Sequence, residues 1–166
     1  MRLSTRARYG LRMMVTIARH DNAEDAVSLN DVANKIRVSR RYLEQLVIAL
    51  KKASLVRGIS GRGGGYLLTR SAGDITLCQI VEAAIGPINV VECVLRREAC
   101  LESDSCECRW VYQTINDRIK GVLNELSLDD LVAQPLADEP APDWDMLASS
   151  CPTLKSRFRD FYPEGY

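Results

Sequence analysis

The stretch that decides the fold is Ser28-Leu-Asn-Asp-Val-Ala-Asn-Lys-Ile-Arg-Val-Ser-Arg-Arg-Tyr-Leu-Glu-Gln-Leu-Val-Ile-Ala-Leu50. Leu29, Val32, Ala33 and Ile36 recur at helical spacing behind Ser28, a residue type that caps a helix by accepting from backbone N–H groups of the first turn. Asp31 stands where the acid of a capping box would stand. Arg37-Val38 makes a short turn. Ser39 then caps a second run that carries Leu43, Leu46, Val47 and Leu50 on one face. Two short helices around a tight turn have the plan of a helix-turn-helix, whose second helix reads the major groove of DNA.

Upstream, Ser4 or Thr5 can cap a helix in which Ala7, Leu11, Met14, Val15 and Ala18 form the apolar stripe, and His20-Asp-Asn-Ala-Glu-Asp25 reads as a polar loop. Downstream, Leu55-Val-Arg57 and Tyr66-Leu-Leu-Thr69 read as two short strands. Between them Gly58-Ile-Ser-Gly-Arg-Gly-Gly-Gly65 is a glycine loop with one cation at its tip. A hairpin directly after a recognition helix is a wing. The glycine run lacks the Lys-Ser/Thr that completes a phosphate-binding loop and leads into no helix, so nucleotide binding is not expected. Its backbone N–H groups and Arg62 suit DNA phosphates and the minor groove instead. Asp74 or Thr76 caps a fourth helix (Leu77, Ile80, Val81, Ala84) that stops at Gly86-Pro87.

Charge divides the chain in the same sense. Residues 1–70 hold 14 basic and 5 acidic side chains, a net of +9, and residues 71–166 balance this to zero overall. The basic half is the one expected to meet a polyanion. Arg40, Arg41, Tyr42, Glu44 and Gln45, at the start of the recognition helix, are the types that read or brace DNA, although a solvated charged face would look similar. The expected interface is Ser39, Arg40, Arg41, Tyr42, Glu44 and Gln45 with the wing residues Ser60, Gly61, Arg62 and Gly63. One histidine and no recognisable nucleophile–base pair leave no enzyme to expect.

The other concentration of chemistry is Cys93-x6-Cys100-x5-Cys106-x-Cys108. No apolar run approaches the roughly 20 residues that span a bilayer, and the first residues lack a signal-peptide core. We therefore expect a cytoplasmic chain whose thiols stay reduced. The spacing contains no CxxC, which argues against a zinc ribbon and a thioredoxin-like motif. An iron–sulfur cluster, a zinc ion and a thiol redox switch remain open on spacing alone. Cys78 falls on the apolar face of the fourth helix as a small hydrophobe, and Cys151 reads as a bystander. His20 ends the first helix and is not expected to ligate.

The fold class expected is mainly α: a winged helix-turn-helix domain with a two-stranded wing over residues 1–86, a cysteine-rich loop over 87–108, and a long dimerisation helix followed by a short one over 109–133. Val111, Ile115, Ile119 and Val122 stripe the long helix at near-heptad spacing, equally suited to a second subunit or to the helix's own domain. Ser127 caps the short helix. Residues 134–166 carry five of the six prolines among acids and read as a disordered tail.

The motifs Met1-Arg-Leu-Ser4, Arg8-Tyr-Gly10, Tyr42-Leu-Glu-Gln-Leu46 and Gly63-Gly-Gly-Tyr-Leu-Leu68, in this order, resemble those of the Rrf-type winged-helix transcription regulators. The likeness runs from Met1 to about Val132. Within the family it is nearest to the iron–sulfur regulators of the IscR type, with the nitric-oxide-sensing NsrR type a cousin. The resemblance implies a homodimer, paired through the long helix, that binds double-stranded operator DNA as a repressor or dual regulator. It implies control by a cluster, [2Fe-2S] ahead of [4Fe-4S], that senses cluster supply, iron, redox state or nitric oxide. It puts Cys93, Cys100 and Cys106 on the three cluster cysteines and Glu44 on a glutamate that tunes site choice. Where the IscR type has a ligating histidine this chain has Arg109, which cannot ligate. Where the NsrR type has an aspartate in the first helix it has Arg8. Cys108 is then the nearest fourth ligand. Ser60 replaces a wing arginine, so Arg62 becomes the candidate minor-groove cation. The alternatives are a cluster-free regulator, sensing by thiol oxidation or a protein partner, and a zinc-stabilised scaffold.

Overall fold

The computed structural model describes residues 3–20, 26–102 and 105–133. Helix α1 (Thr5–Ala18) begins at Ser4, whose hydroxyl accepts from Ala7 N at 3.1 Å. Helix α2 (Leu29–Ile36) begins at Ser28 and α3 (Arg40–Lys52) at Ser39, each serine capping the N–H three residues on. Between α2 and α3 the chain reverses through Arg37, which takes the left-handed conformation at φ 55° and closes α2. The Asp31 carboxylate accepts from the Ser28 hydroxyl at 2.7 Å, so it braces the capping side chain instead of returning to the backbone as a capping box requires.

Strands β1 (Val56–Ile59) and β2 (Gly65–Leu68) form an antiparallel hairpin that pairs Val56 with Leu68 and Ile59 with Gly65. The first strand therefore starts one residue later than expected and runs through Gly58 and Ile59, and the second starts one residue earlier. Leu55 instead closes α3, donating its N–H to Leu50 O at 3.0 Å. Val27, ahead of α2, bridges to Tyr66 through two backbone hydrogen bonds of 3.0 and 2.9 Å. The hairpin is thereby stitched to the α1–α2 connection. Gly65 makes this approach possible, because a Cβ there would stand 2.4 Å from Val27 O.

After a 3₁₀ turn at Ala72–Asp74, helix α4 (Leu77–Ile85) starts in a full capping box between Thr76 and Gln79 and ends at Gly86. A helical turn α5 (Glu92–Leu95) and a 3₁₀ turn at Arg97–Ala99 lie in the cysteine segment. Helices α6 (Arg109–Glu125) and α7 (Leu128–Ala133) follow. Helix α7 folds back onto α1, and Leu128 is fully buried in the same core as the winged domain. Backbone bonds Leu77 N to Leu126 O and Leu128 N to Ile75 O lock this return.

The core gathers Met13, Met14 and Ile17 of α1, Leu43, Leu46 and Leu50 of α3, and Ile75 and Ile80 around α4, all essentially inaccessible. Burying such side chains contributes about 1.5–3 kcal/mol each. In α1 the buried stripe is Ala7, Met13, Met14 and Ile17; Leu11, Val15 and Ala18, expected inside, are half-buried. Cys78 is buried in α4, where desolvation and then the Glu82 charge push its thiol pKa up. No described helix is long and apolar enough to cross a membrane. Cys151 and the tail expected over 134–166 lie outside the described residues.

Candidate DNA interface and cysteine loop

Helix α3 divides its faces cleanly. Leu43, Leu46, Val47 and Leu50 are buried, and Arg40, Arg41 and Gln45 stand in solvent with Glu44 half-exposed. Ser39 is engaged as the N-cap. Tyr42 is half-buried, its ring edge-on to Tyr9 at 5.8 Å, and Arg12 sits over the other ring of this pair, 5.8 Å from the Tyr9 centroid. The Tyr42 ring thus fixes the start of α3 against α1.

A second set of bonds fixes the other end. Ser54 O accepts from the Thr69 hydroxyl at 2.5 Å and from Arg70 Nη1 at 3.3 Å. The same guanidinium reaches Asp74 O and Gln79 Oε1, at 3.2 and 2.8 Å. One planar fork therefore joins the end of α3 to β2 and α4.

Between α3, the wing and the start of α2 runs an open groove lined by Asn30, Arg40, Glu44, Lys51, Ser60 and Tyr66, among others. Ser60, Gly61, Arg62 and Gly63 form the exposed wing tip, turned by Gly64 N donating to Gly61 O at 3.0 Å. Gly61 and Gly63 both hold positive φ, 107° and 80°. Asn30, Lys51 and Tyr66 were not among the residues singled out from sequence. Lys51 follows Glu44 by seven positions and Arg40 by eleven, a helical spacing that would have found it; Asn30 and Tyr66 join the groove through tertiary packing.

The cysteine loop leaves α4 at Gly86 and enters α6 at Arg109. Cys93 on α5 and Cys106 are half-buried, and Cys100 and Cys108 are exposed; all four are free thiols, as is Cys78. Cys108 is the residue immediately before α6. Helix α5 packs on α6, where Arg109 Nη2 donates to Cys93 O at 3.3 Å. Arg109 Nε is buried without a hydrogen-bond partner among the described residues. Within the same set, no three His, Cys, Asp or Glu side chains gather closely enough to hold a metal ion. The donor chemistry nevertheless fits an iron–sulfur cluster: four thiols lie within one short loop, and thiolates are the ligands such clusters use. Holding one requires Cys93, Cys100, Cys106 and Cys108 to converge more closely than they do here.

At the root of the loop, Glu82 Oε1 accepts from Ile88 N at 3.3 Å and from Lys120 Nζ at 2.9 Å. This hydrogen bond and the Glu82 charge raise the Lys120 pKa. Helix α6 meets the body on its Asn116 side, and Asn116 is buried with Oδ1 unpartnered among the described residues. Its opposite side leaves Val111, Ile115 and Val122 exposed, together with Trp110 at 69%. Three of the four residues of the near-heptad stripe are therefore exposed, and the fourth, Ile119, is half-buried.

Comparison with known proteins agrees with this layout. The profile of the family described as Rrf2, iron-dependent transcriptional regulator, matches residues 3–134. The HTH-type transcriptional regulator IscR of Pectobacterium carotovorum is 36% identical over 132 residues, covering 80% of this chain and 79% of that protein. Among solved structures, CymR of B. subtilis, called its global cysteine regulator, superposes with a TM-score of 0.68 at 36% identity, covering 80% of this chain and 97% of that one. IscR of T. potens superposes with a TM-score of 0.64 at 28% identity, covering 88% and 96%.

Proposed function

Because the chain belongs to the Rrf2 family of DNA-binding transcriptional regulators, we propose that it is a homodimeric repressor, or dual regulator, whose hold on operator DNA is set by an iron–sulfur cluster on the Cys93–Cys108 loop. The observation that carries the reading is the loop's position. It is tied to α4 through Glu82 and runs directly into α6, so it touches both the DNA-binding body and the helix with the open apolar stripe.

Cys93, Cys100 and Cys106 would hold the cluster, with Cys108 as the fourth ligand. When bound, the cluster supplies a redox-sensitive cross-link of the loop. The remaining steps belong to the protein's own residues. Arg41 and Gln45 meet base edges or phosphates in the major groove, and Arg62 at the wing tip enters the minor groove. Val111, Ile115 and Val122 pack against the same residues of a second copy, which sets the spacing of the two recognition helices. The two states of the loop must differ in their affinity for DNA, since an equal affinity shifts nothing.

Anaerobic purification of the full chain, with an absorption spectrum and iron and sulfide counts, tests the cluster. Cys93→Ala, Cys100→Ala and Cys106→Ala should each lose the visible chromophore; colour retained in all three refutes cluster binding. Arg41→Ala and Arg62→Ala should weaken binding to promoter DNA and keep the colour, and unchanged affinity in both would move the interface elsewhere.

A second reading, thiol-based sensing without a cluster, is favoured by one observation: the loop's thiols are free, two are exposed, and none gathers with two other potential ligands among the described residues. Reduced protein free of iron and zinc that loses DNA binding on mild oxidation and regains it with a thiol reductant would establish this reading.

A further inference from the structure

We propose that Arg40 is a specificity-determining residue of the DNA interface that acts through Glu44, holding its carboxylate against α3 and so setting which base the helix accepts. The inference rests on the assignment of α3 and the wing as the DNA-reading surface.

Arg40 Nε donates to Glu44 Oε1 at 3.0 Å, and Arg40 Nη1 donates to Asn30 Oδ1 at 3.2 Å. The guanidinium thus spans from the first turn of α2 to the second turn of α3. All three residues line the groove between α3 and the wing, and Glu44 is the one acid among the described residues that line it. The paired side chains are 59% and 47% exposed, so the pair adds little to folding stability. Its weight falls on binding.

DNA entering the groove brings phosphates toward Glu44 and removes the water that screens it. A free carboxylate there is repelled by every sequence, and its favourable base partners in the major groove are the exocyclic amino groups, cytosine N4 first and adenine N6 after it. Arg40 changes both terms. It neutralises the carboxylate before DNA arrives, and by engaging Oε1 it leaves Oε2 to accept from a base. Asn30 holds the guanidinium from the far side, so the carboxylate is aimed by a residue anchored on two helices. A phosphate-contacting arginine would behave differently, because its effect would not depend on Glu44.

The test selects bound sequences from a randomised duplex pool with the full-length wild type, Arg40→Ala, Glu44→Ala and the double variant. Affinities for the wild-type-selected duplex are then measured across a salt series. Arg40 is exposed at the first position of α3, where Ala supports a helix, and circular dichroism confirms that each variant is folded. Arg40→Ala should change base preference at the same position that Glu44→Ala changes and weaken binding about tenfold. In the Glu44→Ala background it should leave the preference alone and change affinity less than about threefold. Two results overturn the proposal. An equal loss with and without Glu44, with the salt slope falling by about one, makes Arg40 an ordinary phosphate contact. If all four proteins select the same sequences with equal affinity, neither Arg40 nor Glu44 reads DNA and the proposal fails, while the interface assignment fails with it only if Arg41→Ala and Arg62→Ala also bind unchanged.

Discussion

Gly65→Ala is expected to detach the wing from the body, and the size of the effect follows from the backbone around it. The added Cβ would lie 2.4 Å from Val27 O, 2.5 Å from Val27 C and 2.9 Å from Ser28 N. All three are backbone atoms, so no rotamer change relieves the clash. The protein must either keep it or separate Val27 from Tyr66 and lose hydrogen bonds of 3.0 and 2.9 Å. Overpacking costs about 1–3 kcal/mol and each lost hydrogen bond about 0.5–1.5 kcal/mol net. The two routes compete, so the cheaper one sets the destabilisation, about 1–3 kcal/mol by either. A typical domain has about 5–15 kcal/mol in total, so the variant remains folded but measurably weaker. Urea unfolding followed by circular dichroism reads the change directly, and DNA affinity measured where both proteins are folded reads the misplaced wing. Gly73→Ala is the control, with only Ser71 Oγ nearby at 3.8 Å, and should stay within about 0.5 kcal/mol. If Gly65→Ala matched that control in stability, the close approach of Val27 to the wing would be refuted.

Leu128→Ala removes a fully buried side chain from α7 and should destabilise the whole domain by about 2–5 kcal/mol in a single transition. An unchanged midpoint would show that α7 is not part of the core. The Ser127 hydroxyl, and after it the Ser127 backbone N–H, hold the Asp130 pKa below the ordinary aspartate value. The stability this carboxylate contributes is therefore present above that ordinary value and lost as pH falls through its lowered folded value. Asp130→Asn should lower the thermal midpoint at neutral pH and narrow the gap to wild type under acid; a gap independent of pH would contradict the assigned role of the charge.

The local signals in the sequence located most of the helices. Ser4, Ser28, Ser39, Thr76 and Ser127 all stand at helix starts, because capping is decided by a residue and its next three neighbours. The strand ends were less legible. Gly58 and Ile59 look like loop beside a glycine run, yet they pair with Tyr66 and Gly65, a choice made by the partner strand. In α1 the helical period allows two overlapping stripes, and packing against α4 and α7 selects the one with Met13 and Ile17. The exposed side of α6 carries Val111, Ile115 and Val122 of the apolar stripe seen in sequence, with Ile119 half-buried, but nothing in the sequence marks Asn116 as the buried side. For the cysteines the sequence supplies donors and spacing, while closure of the loop around a ligand is a property of tertiary structure and of the ligand itself.

The way α3 is held has a consequence for how such a protein can diverge. Its orientation comes from the buried Leu43, Leu46, Val47 and Leu50, from the Tyr42–Tyr9 contact, and from the Ser54, Thr69 and Arg70 bonds at its far end. Its outward side chains, Arg40, Arg41, Glu44 and Gln45, take no part in that framework beyond the exposed Arg40 contacts. On the proposed reading of α3, aiming is thus entrusted to residues other than Arg40, Arg41, Glu44 and Gln45, with Ser39 and Tyr42 belonging to the frame. On that reading, new target sequences are open to this scaffold by surface substitution alone, each trial starting from a helix whose buried side and core do not register the change.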